Sequence, residues 1–98
     1  MNYSLSFHEL AEFELNDIAA YYENQVSGLG FSFLDEVERS LHLIQQNPKL
    51  FPQIFHVVRR KTLRRFPYSI MYTLSETSIR ILAIASQKRR PLYWKNRK

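Results

Sequence analysis

Cysteine is absent from the chain's 98 residues. That absence removes a disulfide scaffold, a thiolate zinc site and a cysteine nucleophile together. Glycine is nearly as scarce, with two glycines beside four prolines, so neither G-x-G-x-x-G nor G-x-x-x-x-G-K occurs and no glycine-rich loop can cradle a phosphate. Long apolar runs are also missing. The longest strongly apolar stretch, Ile81 to Ala85, is five residues long, where a membrane-spanning helix needs about twenty. The start, Met1-Asn2-Tyr3-Ser4, has neither the basic residues nor the apolar stretch of a secretory signal. What is present is an apolar content of 45%, enough to bury one core. Residues 1–98 therefore read as a single cytoplasmic domain with no membrane association.

Basic residues are rare in the first half of the chain and crowded in the second. Met1 to Ile54 holds eight acidic and two basic residues, a net −6. Phe55 to Lys98 holds twelve basic residues and one acid, Glu76, a net +11. The overall +5 conceals this split. A basic half of this kind suits an anionic partner, or pairing with the chain's own acidic half.

The hydrophobic period changes along the chain. Tyr3 to Phe7 alternates as a half-buried strand does. From about His8 the period lengthens: Ala11, Leu15, Ile18, Ala19 and Tyr22 form a helical stripe, with Glu12, Glu14, Asp17 and Glu23 mostly outside it. Ser27-Gly28-Leu29-Gly30 supplies the glycine expected to cap that helix. A second helix follows, with Phe33 or Leu34, Val37, Leu41 and Ile44 on its apolar face and Asp35, Glu36, Glu38 and Arg39 outside, ending at Asn47-Pro48. The short connection predicts an antiparallel hairpin. Beyond Pro52 the period falls to two. Phe55 to Arg60 and Thr62 to Phe66 read as one long bent strand or two short ones. Tyr68 to Leu74 and Ile79 to Ala85 read as strands, the latter near the middle of the sheet. The expected class is α+β, in the order β-α-α-β-β-β, with the helical hairpin packed on a mostly antiparallel sheet.

Few residues combine into recognisable chemistry. His8 and His42 fall at surface positions, and only His56 lies in the cationic half. Spacings of 34 and 14 residues give the three histidines no shared helix face and no metal site. No serine has a G-x-S-x-G context. Phe7, Phe66, Tyr68 and Tyr72 have strand spacing and suit a core. Tyr93 and Trp94 differ, because they lie within Lys88–Lys98, a basic tail. Aromatic residues among cations suit stacking on bases or docking on a protein, and Trp94 also suits a cap folded back on the sheet. The tail itself could be solvated.

This layout, with the string Leu63-Arg64-Arg65-Phe66-Pro67-Tyr68-Ser69-Ile70-Met71-Tyr72 and the later run from Ile81 through Ser86-Gln87-Lys88-Arg89-Arg90-Pro91-Leu92-Tyr93-Trp94, resembles the RelE/ParE toxin superfamily of bacterial type II toxin–antitoxin modules. Asp17-Ile18 with Tyr21-Tyr22 in the first helix belongs to the same resemblance, as does Gly28-Leu29-Gly30 with Phe33-Leu34-Asp35 at the opening of the second. Asn47-Pro48 with Phe51-Pro52 falls where the family leaves its helical hairpin. The likeness covers nearly the whole chain.

The resemblance implies a cytoplasmic growth-inhibiting toxin of the kind linked to plasmid stabilisation. A cognate antitoxin would neutralise it, and operator DNA would be reached only through that antitoxin. Its members divide by target: ParE-like toxins inhibit DNA gyrase, whereas RelE-like toxins cut messenger RNA on the ribosome. The fold serves both. Cleavage needs a proton acceptor, a proton donor and cations on the phosphate, and the resemblance offers Arg65, Arg89 and Tyr93 for these roles. Relatives often carry arginine where this chain has Ser69 and histidine where it has Ser86, so the nuclease set is incomplete. The expectation is therefore a ParE-like toxin acting on gyrase, with an RNA endonuclease as the alternative and an inactive or RNA-binding relative as a second one. Target binding is expected at Lys88, Arg89, Arg90, Tyr93 and Trp94, and antitoxin binding at Arg59, Arg64 and Arg65. No metal or cofactor is implied.

Overall fold

A computed structural model describes residues 3–98. Along the chain it places β1 (Ser4–Phe7), α1 (Glu9–Gln25), α2 (Leu29–Gln46), β2 (Gln53–Phe55), β3 (Val58–Thr62), β4 (Tyr68–Leu74) and β5 (Ser78–Ser86). The five strands form one sheet in the order β1-β5-β4-β3-β2. β1 runs parallel to β5, and every other neighbouring pair is antiparallel. This is the expected α+β arrangement, with β5 inside the sheet as its apolar sequence requires.

The helical hairpin covers one face of the sheet. Ala11, Ile18 and Ala19 of α1 and Phe33, Val37 and Ile44 of α2 pack on Ile70, Tyr72, Ile79, Ile81 and Ile84. Leu15 and Tyr22 complete the α1 stripe as partly buried neighbours. Tyr72 is fully buried, and its hydroxyl donates to the Pro48 carbonyl at 2.7 Å. Burial pushes its pKa up to about 12, against the opposing charge of Arg59. That bond pins the exit of the hairpin to the sheet.

The connection between the helices departs from the expected glycine cap. α1 ends at Gln25 with Val26 as its C-cap, and Gly28, at φ 90°, is the N-cap of α2. Gly30 lies within α2 because the helices touch there: a Cβ would sit 2.5 Å from the Ala19 carbonyl oxygen. α2 has no side-chain cap of its own. Glu23 of α1 replaces it, accepting from the Gly28 and Gly30 amides at 2.8 and 2.9 Å, where a carboxylate also meets the helix dipole favourably.

Strand boundaries after Pro52 also differ from the sequence pattern. Phe55 to Arg60 is broken by a two-residue turn, His56-Val57, between the paired residues Phe55 and Val58. Thr62 to Phe66 is not a strand beyond Thr62. Leu63 and Phe66 turn into the core, and the backbone amides of Arg64 and Arg65 leave the ladder to bond Glu36. On the sheet's other face β5 is bulged: Met71 pairs with Ala83 and Tyr72 with Ile81, leaving Leu82 as the extra residue. Val58, Met71, Leu82, Ala83 and Ala85 form a second, smaller apolar cluster there.

Candidate functional site

Two cationic surfaces flank this framework. The first is an open groove of about 760 Å³ between α2 and the β3–β4 connection, lined by Asp35, Glu36, Arg39, Lys61, Arg64 and Arg65 among others. Glu36 is buried on the inner side of α2. Its carboxylate accepts the amides of Arg64 and Arg65 and the Arg65 Nε–H at 3.2 Å. Burial pushes its pKa up, but those amides and the Arg65 guanidinium together outweigh burial and hold it below the ordinary glutamate value. The Glu36 expected on the outer face is therefore an internal anchor.

The three arginines expected at the antitoxin surface play different parts. Arg59 is turned inward and donates to the Lys49 and Phe51 carbonyls at 3.1 and 2.7 Å, bracing the loop after α2. Arg65 pairs with Glu36. The exposed Arg64 guanidinium makes no hydrogen bond or ion pair among the described residues.

The second surface is the segment after β5. Residues 91–96 fold as successive turns, reversed at Leu92, whose φ of 62° is strained for a leucine. Trp94 is 2% exposed and packs in the second apolar cluster, its ring 6.1 Å from that of Phe55. Trp94 thus caps the sheet and does not present its ring to solvent. Lys88, Arg89 and Arg90 are exposed. Arg89 lies over the Tyr93 ring at 4.0 Å, and Arg97 lies 5.1 Å from the same ring.

Glu14 holds this segment. One carboxylate oxygen accepts the Ile84 amide and Arg97 Nη1 at 3.0 Å, and the other accepts the Tyr93 hydroxyl and Arg97 Nη2 at 2.9 Å. Burial and the bond to Glu14 push the Tyr93 hydroxyl pKa far up, outweighing the two arginines. At neutral pH Tyr93 is a hydrogen-bond donor already committed, not a base.

The residues offered for cleavage do not share a cleft. Arg65 lines the α2 groove, while Arg89 and Tyr93 line the clefts beside the last segment. Ser69 is buried and donates to Thr62 Oγ1 at 3.3 Å, and Ser86 Oγ accepts the Lys88 amide. Arg80 is spent on Ser6 and the Phe7 carbonyl. His8 caps α1, with Nδ1 accepting the Leu10 amide at 3.1 Å. His42 and His56 are exposed. Among the described residues no three of His, Asp or Glu converge where a metal ion could be held, and no helix is long and apolar enough to cross a membrane.

Sequence reasoning missed Glu14 and Glu36. The available signal was position: Glu14 lies three residues after buried Ala11 and four before buried Ile18, and Glu36 lies three after buried Phe33 and four before buried Ser40. An acid in the buried row needs a partner.

With this geometry established, the family model of the ParE toxin of type II toxin–antitoxin systems (parDE) matches residues 5–91. The chain belongs to the ParE toxin family. A solved structure, described as the chromosomal ParDE TA system from P. aeruginosa, superposes with a TM-score of 0.75 at 23% identity, covering 86% of this chain and 95% of that one. It has the same fold as this ParE-family chain. A search of the curated proteins gives no match. The family match runs from the second residue of β1 through β5 and stops at Pro91, so Tyr93, Trp94 and Arg97 lie beyond it.

Proposed function

We propose that this ParE-family toxin arrests growth by acting on DNA gyrase without cutting nucleic acid, and that a cognate antitoxin neutralises it. The observation that carries the reading is the commitment of Tyr93, whose hydroxyl donates to Glu14 at 2.9 Å. A general base must be free to accept a proton, and general acid–base groups are worth about 10²- to 10⁴-fold each. Ser69 and Ser86 add no cation or base, and Arg65 opens onto a different cleft from Arg89. What remains is a binding surface of exposed cations at Lys88, Arg89 and Arg90 beside Tyr93, supported from below by Trp94. Cation-rich surfaces with an aromatic anchor suit protein docking.

The antitoxin is expected at the other cationic surface. The α2 groove offers Arg64, Arg65 and Lys61 to a partly acidic segment. Supercoiling by purified gyrase in the presence of this protein is the deciding assay. Inhibition is the expected result. Unimpaired gyrase, together with cuts in messenger RNA seen by primer extension after induction, would replace this reading with ribosome-dependent cleavage.

A further inference from the structure

We propose that Glu14 is a positioning residue of the target-facing segment, a clamp that sets the attitude of Tyr93 and, through it, of Arg89. The inference rests on reading that segment as the working surface.

β1 ends at Phe7 and pairs only with Ser78 to Ile81 of β5. The rest of that β5 edge would present bare backbone groups. Glu14 and Arg97 take the place of the missing strand: Ile84 N–H donates to Glu14, and the Leu82 carbonyl accepts from Arg97 Nη1 at 3.0 Å. The same two side chains form a paired-contact salt bridge at 12% exposure each. The Tyr93 hydroxyl then closes on the remaining lone pair.

Two costs oppose this return of the chain. Leu92 is held in a left-handed conformation, and Lys88, Arg89, Arg90, Lys95, Arg97 and Lys98 crowd eleven residues with like charge. No other acid among the described residues touches the segment through a salt bridge. Glu14 supplies both the counter-charge and the hydrogen bonds. With all four of its bonds made, it orients Tyr93 so that the Arg89 guanidinium lies over the ring, 4.0 Å from its centre. Released, the segment would carry Arg89 and Arg90 on a loose chain with no fixed spacing.

Trp94, the chain's single tryptophan, is buried one residue from Tyr93 and reports the state of the clamp. Glu14→Gln keeps the shape but turns an amide NH₂ toward donors. In the full-length protein it is expected to raise acrylamide quenching of Trp94 and speed trypsin cleavage after Lys88 and Arg89 by about tenfold, the scale of losing a charge-assisted bond. Far-UV circular dichroism should stay native, and growth arrest on induction should fall in step. Tyr93→Phe removes one bond and keeps the ring, so it should show the same changes more weakly. If Glu14→Gln does not fold, the Tyr93→Phe result decides. Unchanged quenching and cleavage in the folded variants would overturn the clamp, as would a released Trp94 with growth arrest undiminished. The double variant Arg89→Ala, Arg90→Ala tests the underlying reading separately: full growth arrest with Trp94 still buried would show that the surface, and not the clamp, had been misassigned.

Discussion

His56 occupies a position built for another residue. It is the first residue of the two-residue turn between β2 and β3 and has φ 51°. Such hairpin turns favour glycine there, because a Cβ crowds the backbone at positive φ. His56→Gly is expected to stabilise the protein by about 1 kcal/mol and raise its Tm by about 4 °C. His56→Val should destabilise it, since a β-branched residue tolerates this conformation least. Paired thermal melts of the two variants check the sign. The turn was hidden in the sequence because the residue that makes it is not a turn former.

Glu36 makes a second prediction at the same scale. Its folded-state pKa is lowered, so its stabilisation is fully present above the 4.5 of an unperturbed glutamate and is lost as the pH falls below that value. Glu36→Gln should cost about 1–3 kcal/mol at pH 7, because an amide cannot accept the Arg64 and Arg65 donors as a carboxylate does. As the pH falls below 4.5 the gap between the two proteins should narrow. Denaturant titrations at pH 7 and at pH 3.5 measure the difference, and equal stability gaps at both would contradict the role assigned to the carboxylate. The partners of Glu36 lie 28 and 29 residues away, beyond the reach of any local pattern. Periodicity reports which face a residue occupies, and it is silent about what meets that face.

Among the elements, those with one dominant period were legible. The stripe Ala11, Ile18, Ala19 of α1, the inward face Ile70 and Tyr72 of β4, and the apolar β5 all stand in the core as their spacing requires. Elements shaped by a distant contact were not. The strand pattern of Leu63 to Phe66 gives way to a loop because Glu36 captures its amides, and the glycine pair is spent on opening α2 and on close approach, not on ending α1. Gly30→Ala tests that last point. The added methyl would meet the Ala19 carbonyl at 2.5 Å and the Glu23 side chain at 3.0 Å, and backbone cannot yield cheaply. A loss of about 1–3 kcal/mol is expected in chemical denaturation. Gly28→Ala, with open space around it, should lose only the about 1 kcal/mol of its positive φ.

For the whole molecule, the cations of the basic half are distributed between two separate surfaces, the α2 groove and the segment after β5. The cations of the second half are not one undifferentiated field, because Arg59, Arg80 and Arg97 bond carbonyl oxygens within the fold. Arg64 remains open to a partner in the α2 groove, while its neighbour Arg65 also holds Glu36. An acidic antitoxin segment would meet both, yet the two substitutions should differ. Arg64→Glu is expected to weaken antitoxin binding about tenfold at low salt, with the deficit shrinking as salt screens the contact and with Tm unchanged. Arg65→Glu should weaken binding similarly and also lower Tm, since it sets a second carboxylate beside buried Glu36. Calorimetric titration across a salt series, with a melt of each free toxin, separates the two. If Arg64→Glu binds with wild-type affinity at every salt concentration, the groove is not where the antitoxin's charge lands. The electrostatic half of the neutralisation model would then have to move to the exposed cations after β5.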